Sequence, residues 1–519
     1  MNQTHYALTN PLTRLIDKPR HEFTRADLLH IIEQKQLERI TFHYTGIDGK
    51  LKELKIPLAD RQQTERILAD GERVDGSSLF RGLVDVSVSD LYVVPVYKTA
   101  FLNPFDPGSI DFVCRYLTHE GTLAPYTLDN ILLKAYHRFQ EQTGLELYAM
   151  GELEFFLLST PAHNLYATDR QRGYHTASPF NKTGDIINEM VSQITQITGA
   201  VKYAHSEVGN LHHVRSDLEE IAGKRADQLE IEFLPTPIDE AGDNLVLARW
   251  LIRNVAYRHG CVATFTPKLE EGIAGNGLHV HMELLRNGRN IMGMGNTNKS
   301  DGRLSLEARR LIGGLSHYAT TLTAFGNTTS SAYLRLVPNQ EAPTRVCWSE
   351  SNRSAMIRVP LGWTNAQNLA RQVNPQQTEA FVEEVGRQTV ELRSPDGSAI
   401  VHLLLAGITM AATWGLTNPA QSEQLADDLY VTGNIFRDQA TLSRLQPLPS
   451  SCVASAAALR QQRALYEADD VFPPSMIDYV AHLLEEENDA NMNQYLSDLP
   501  ADDRLHQTRA IMHKDLHRH

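Results

Sequence analysis

Four cysteines in 519 residues, Cys114, Cys261, Cys347 and Cys452, leave no CxxC pair to build a zinc ribbon or a redox motif. Such thiols read as reduced and mostly buried, in a cytoplasmic protein. Positive charge is also scarce. With 49 Lys and Arg against 63 Asp and Glu the net charge is −14, which argues against nucleic acid as the main partner. The first thirty residues contain no apolar segment, so no signal peptide is visible. Only AIVHLLLAGITMAATWGL, residues 399 to 416, approaches the roughly 18 to 20 apolar residues of a membrane span. It carries His402, Thr409 and Thr413 and reads as a buried helix of a large domain, so no membrane partner is expected. There is no internal repeat and no low-complexity tract. The glycine-rich GIAGNGLHVH, residues 272 to 281, lacks the Gly-Lys-Ser/Thr ending of a phosphate loop and reads as flexible backbone able to approach a ligand closely.

What is present is a repeated strand pattern. In GELEFFLL, residues 151 to 158, Glu152 and Glu154 fall on one face of a strand while Leu153, Phe155 and Leu157 fall on the other. QLEIEFL sets Glu230 and Glu232 against Leu229, Ile231 and Phe233 in the same way. LHVHMELL sets His279, His281 and Glu283 against Leu278, Val280, Met282 and Leu284, and VELR sets Glu391 and Arg393 against Val390 and Leu392. One acid-x-acid strand is usually a solvated face. Four of them in one sheet would gather carboxylates that repel each other unless cations sat among them.

The chain divides by pattern. Residues 1 to 22 lack periodicity and read as an arm or loosely packed extension. Residues 23 to 126 read as a small α+β unit. It has a helix with a capping-box start at Thr24 and Asp27, strands RITFHYT and LKELKIP joined by a hairpin at Asp48-Gly49, a helix over 59 to 71, and further strands DLYVVPV and DFVCRY. Residues 127 to 519 read as a larger domain that turns helical after about residue 420, with LEEENDANMN as a charged, exposed face. VDGSSLFRG, from Val74, reads as a turn-rich loop. Arg335, Arg353, Arg358 and Arg393, if they lie near the acidic face, suit a clamp for phosphate or carboxylate.

Taken together these segments resemble glutamine synthetase. The resemblance runs from about residue 38 to at least residue 410 and is carried by VDGSS at 74, GELEFF at 151, HSEVG at 205, NVAYRHGCVATFTPK at 254, GNGLHVH at 275, RLVPNQEAP at 335, NRSAMIRVP at 352 and ELRSPD at 391. It implies an N-terminal β-grasp-like domain followed by a catalytic α/β domain with a curved antiparallel sheet. It implies two Mg²⁺ or Mn²⁺ ions, one held by Glu154, Glu207 and Glu230 and the other by Glu152, His279 and Glu391. Glutamate would be held by Arg335, Arg393 and the backbone at Gly275, and ATP by His281, Arg353 and Arg358. Ammonium would meet Asp75, Ser78, Tyr174, Glu207 and Glu341. Of these, Asp75 and Glu341 would share the proton chemistry, and Arg353 would act on the phosphoryl group. Because the DGSS acid serves a neighbouring subunit in this family, rings are implied, two stacked hexamers forming a dodecamer.

The implied reaction joins glutamate and ammonia at the expense of ATP. Alternatives are a γ-glutamyl ligase acting on another amine and a non-catalytic assembly protein. The chain departs from the family pattern at Ala274 and Asn276, where asparagine and serine are usual, and at Thr389, where arginine is usual. Segments 208 to 227 and 361 to 388 look longer than usual.

Overall fold

The computed structural model describes residues 6–160, 165–293, 304–337, 342–362, 368–381 and 386–518. Two sheets organise them. The first contains β1 (Arg39–Thr45), β2 (Leu51–Pro57), β3 (Glu72–Asp75), β4 (Asp90–Pro95), β5 (Phe101–Leu102) and β6 (Ser109–Leu117), in the order β2-β1-β6-β4-β3 with β5 on β6. The β1–β2 hairpin turns at Gly49, whose φ of 74° suits glycine. β1 and β6 pair in parallel at the centre, and the remaining pairs are antiparallel. On one face Ile40 and Phe42 join Leu28, Ile31 and Ile32 of the helix Arg25–Lys35 in a single core. That helix begins as expected. Thr24 Oγ1 accepts from Asp27 N, and the Asp27 carboxylate accepts from Thr24 N. On the other face His43 meets Trp250 at a tilt of 57°, 4.9 Å between ring centres, in the helix Ile238–Arg258 of the larger unit.

The second sheet contains β7 (Glu146–Ser159), β8 (Val201–Leu211), β9 (Arg225–Phe233), β10 (Thr236–Pro237), β11 (Val262–Thr264), β12 (Leu278–Arg286), β13 (Arg289–Asn290), β14 (Trp348–Glu350), β15 (Ile357–Val359) and β16 (Val390–Leu392). Its main path is β14-β15-β16-β12-β7-β9-β8, antiparallel except for β14–β15. The apolar face packs on helices. Gly151 lies on that side, where a Cβ would come within 2.7 Å of Leu245 in the helix Ile238–Arg258. The segment 399–416 becomes the buried helix Val401–Thr417. Its Gly415 and the facing Gly314 let two helix backbones touch, since a Cβ at either would lie within 2.2 Å of a carbonyl oxygen. Among the described residues no helix is long and apolar enough to cross a membrane.

Three expectations need correction. Residues 10 to 22 are packed against the body. Leu12 is buried in the helix Pro11–Ile16, and Arg20 donates to the carbonyls of Ile197 and Thr198 at 2.5 and 2.7 Å. The segment lacks visible periodicity because its helices are only one or two turns long. The DGSS stretch is the end of β3 followed by a one-turn helix, Gly76–Leu79, capped by Asp75. LEEENDANMN is not a uniformly exposed face. Asp489 is buried and accepts from the first amides of the helix Cys452–Gln461, while Glu487 takes Ser330, Lys514 and Arg518.

Candidate active site

The polar face of the second sheet opens into a cavity of about 1060 Å³. Strand register assembles its floor. Glu152 faces Glu232 on one side and His279 on the other, Glu154 faces Glu230, His281 faces Glu391, and Glu391 faces Arg358. Side chains in directly opposed positions lie within about 5.5 Å. The alternation read in four separate segments therefore becomes one continuous patch of carboxylates and imidazoles. Glu207 enters from β8, whose His205 also faces Glu230.

Two groups of donors can each close around an ion. Glu152, His281 and Glu391 offer atoms within 4.8 Å of one another, as do His205, Glu207 and Glu230. A third set, Glu152, Glu230 and Glu232, meets the same limit. His279 Nδ1 lies 2.7 Å from Glu152 and 3.7 Å from Glu391, whereas His281 Nε2 lies 2.8 Å from Glu152. Both imidazoles thus face one carboxylate, and the tighter triple contains His281. One oxygen of Glu154, Oε2, is occupied within the chain, accepting from Gly277 N at 2.8 Å and Gln228 Nε2 at 3.1 Å.

The electrostatics match a cation site. Burial raises the Glu154 carboxyl to about 6, with Glu207 adding to the shift. Burial pushes Glu230 well above the usual range, reinforced by Glu152, Glu154 and Glu207. Burial acts in the same direction on Glu152, but the two imidazoles override it and hold this group well below the ordinary value. Carboxylates crowded this way lose their repulsion when a divalent ion replaces the protons, and hard cations favour oxygen donors with an occasional imidazole. The residues present fit such ions.

All four arginines singled out in the sequence line the cavity. Arg358 Nη1 and Arg393 Nε donate to the two oxygens of Glu391 at 2.8 and 3.0 Å. Arg335 is buried, donates to Ser394 O at 3.0 Å, and sits 3.4 Å from His279 Nε2. Arg353 is exposed at the mouth. Gly275 lines the cavity, but its loop is packed rather than flexible. A Cβ there would meet Pro267 O at 2.4 Å, and Asn276 is fully buried, donating to Thr266 O at 2.9 Å. Thr389 places its hydroxyl 3.0 Å from His281 Nδ1, so it orients this ring.

Tyr174 lines the cavity and is half exposed. Asp75 and Ser78 are exposed and do not line it. They hydrogen-bond to one another at 2.5 Å, and the Ser78 and Ser77 hydroxyls pull the Asp75 carboxyl down to about 2. Glu341 lies outside the described residues. Several lining residues had no role assigned from sequence. Gln228 bridges Glu154, Gly275 O and Asn276; Lys202 pairs with Glu232 at 2.6 Å; and Glu283, pushed up to about 7 by burial, stands beyond His281. The alternating pattern had already put Glu232 and Glu283 on the polar face; Lys202 carried no such signal.

Residues 36–119 match the family model for the glutamine synthetase β-grasp domain, and residues 130–499 match that for the glutamine synthetase catalytic domain. The chain belongs to the glutamine synthetase family. Its curated relatives include glutamine synthetases of Thermus thermophilus, 29% identical over 86% of this chain and 92% of the relative, and of Thermococcus kodakarensis, 30% identical over 88% and 91%. Among solved structures, Plasmodium falciparum glutamine synthetase superposes with a TM-score of 0.71 at 20% identity, covering 93% of this chain and 98% of that one. Apo GmaS superposes at 0.69, also at 20% identity, over 92% and 98%. At such identity these two likenesses speak for the fold, and the family matches establish a ligase family.

Proposed function

We propose that the protein is an ATP-dependent ligase that makes glutamine from glutamate and ammonia through γ-glutamyl phosphate. The reading is carried by the convergence, among the described residues, of seven carboxylates, three imidazoles and five arginines on one cavity. A carboxylate cannot expel oxide when an amine attacks, so it must first be activated. An oxygen of the glutamate side chain attacks the γ-phosphorus of ATP, the bond to the β–γ bridging oxygen breaks, and ADP leaves. Ammonia then attacks the acyl carbon, the bond to the phosphate oxygen breaks, and inorganic phosphate departs. Glu154, Glu207 and Glu230 would hold one divalent ion, and Glu152, His279 and Glu391 the other. Bound there, Mg²⁺ or Mn²⁺ supplies neutralising charge for the phosphates.

The chain's own residues do the positioning. Arg335, Arg393 and the backbone at Gly275 take glutamate, while His281, Arg353 and Arg358 take the nucleotide, with Arg353 at the cavity mouth facing the transferring phosphoryl group. Tyr174 and Glu207 form the side of the ammonium pocket reached within one chain. Negative charge there favours ammonium, and a carboxylate then removes its proton. Asp75, Ser78 and Glu341 complete the pocket in this proposal. Since Asp75 and Ser78 stand outside the cavity of their own chain, a neighbouring copy must bring them, which asks for a ring, with the dodecamer as the proposed form.

A second reading replaces ammonium with an organic amine. It is favoured by the half-exposed rings of Tyr174 and Tyr203 at the cavity wall, which leave room for an alkyl group. An amine panel separates the two. Purified protein is given glutamate, ATP, Mg²⁺ and either ammonium, methylamine, ethylamine or putrescine, and ADP and the amide are measured together. Amide formation with ammonium supports the first reading. Turnover with an organic amine and none with ammonium rejects it, and the absence of metal-dependent ADP formation with every amine rejects both.

A further inference from the structure

Glu283 is the one acid of the β12 pattern that the proposed ion and substrate positions leave without work. It is 6% exposed, lines the cavity, and faces Tyr148 across the β7–β12 pairing. Among the described residues its carboxylate receives one hydrogen bond, from Asn290 Nδ2 at 2.6 Å. Asn290 is held in turn by its place in β13, opposite Leu285, and by a bond to Gln388 O at 2.9 Å. Among the described residues no lysine or arginine pairs with Glu283. A nearly buried carboxylate accepts several donors when it can, and this one has capacity left toward the cavity.

The rest of the cavity restricts what that donor is. Four residues of strand separate Glu283 from His279, roughly 14 Å at about 3.4 Å per residue. The ion-binding carboxylates occupy the far end, with Arg335 beside His279 and Arg393 on Glu391. Phosphates go there, and a bare carboxylate at the near end would repel them. Beyond Glu283 the lining turns apolar, with Leu285, Pro360 and Leu361, a surface for a flat base. Between a base and its phosphates lies the sugar, whose hydroxyls are hydrogen-bond donors, and carboxylates are a recurring partner for them.

We propose that Glu283 accepts a hydrogen bond from a ribose hydroxyl of the nucleotide and makes the site selective for ribonucleotides. This rests on the ATP-dependent reading above. Asn290 is its positioning residue, holding the carboxylate in place through the second oxygen.

The test is calorimetric titration of ADP, 2′-deoxy-ADP and 3′-deoxy-ADP into the full-length protein with Mg²⁺, repeated on Glu283→Gln and Glu283→Asp. The wild type is expected to bind ADP about tenfold more tightly than at least one deoxy analogue, the size of one charge-assisted hydrogen bond. Glu283→Gln should bind ADP about as weakly as that analogue, with the preference reduced to less than about twofold, and Glu283→Asp should fall between. Equal binding of the three nucleotides by the wild type overturns the proposal and needs no variant to interpret. A preference undiminished in Glu283→Gln also overturns it. If ADP itself does not bind, the ATP-dependent reading falls first, whereas ADP binding without discrimination removes only the ribose assignment.

Discussion

Each sheet of this protein buries a carboxylate beside an imidazole, and the two are wired oppositely. In the N-terminal sheet Asp111 takes His43 Nε2 and Ser109 Oγ at 2.6 Å and Asn103 Nδ2 at 2.7 Å, so both oxygens are supplied by the chain itself. In the catalytic sheet Glu154, with only its Oε2 supplied by Gly277 N and Gln228 Nε2, and Glu230 are buried among other acids, and their affinity for protons rises. A polar group with all its partners built in holds the fold together, while one left short is available to a ligand.

The contrast can be broken most sharply at Asp111. Asp111→Ala removes the acceptor for three buried donors and should cost about 3–5 kcal/mol of stability in denaturant titration, with activity per folded molecule retained. A loss below about 1 kcal/mol would mean the cluster is not structural. In the other sheet Glu154→Ala should lower ADP formation at least about a hundredfold. Its melting temperature without added ion should hold level or rise, because a repelling charge has gone. A variant that melts early and turns over normally would reverse the assignment.

Acidity sharpens the comparison further. The folded-state value of Glu154, about 6, lies above the unfolded value of about 4.3. The stability it contributes is therefore fully present below about pH 4 and lost as pH rises through 6, on the order of 2 kcal/mol in the ion-free protein. Saturating Mg²⁺ should flatten that slope, and ion binding should weaken as pH falls below 6 and release protons when it occurs. Melting curves from pH 4.5 to 7.5 with and without Mg²⁺ read both. A slope unchanged by Mg²⁺ would separate these acids from the ion. The smallest effect on stability belongs to the DGSS acid. Asp75→Ala removes an exposed cap of a one-turn helix and should leave the melting temperature nearly unchanged, yet amide formed per ADP should fall severalfold. Normal coupling of ADP to amide would take Asp75 out of the amine step.

The elements that could be read from the chain were those with an intact period. The helices Leu128–Thr143 and Gly184–Thr198, the strands β1, β2 and β4, and the acid-bearing strands of the catalytic sheet fall where alternation and capping placed them. Short helices at residues 11 to 22 escaped because one turn has no measurable period. Glu487 and Asp489 look like solvated charges in sequence, and only the approach of Ser330, Lys514, Arg518 and the helix at Cys452 gives them partners.

Alternation every second residue already assigned Glu152, Glu154, Glu230, Glu232, His279, His281, Glu283 and Glu391 to polar faces, since a strand has only two sides. Which of them touch was decided by register, a relation between strands far apart in the chain. Tertiary packing set the rest, because depth and donor supply depend on neighbours. Burial and nearby acids raised Glu154 and Glu230, two imidazoles lowered Glu152, and Glu283 was left with one hydrogen bond and an open side toward the cavity.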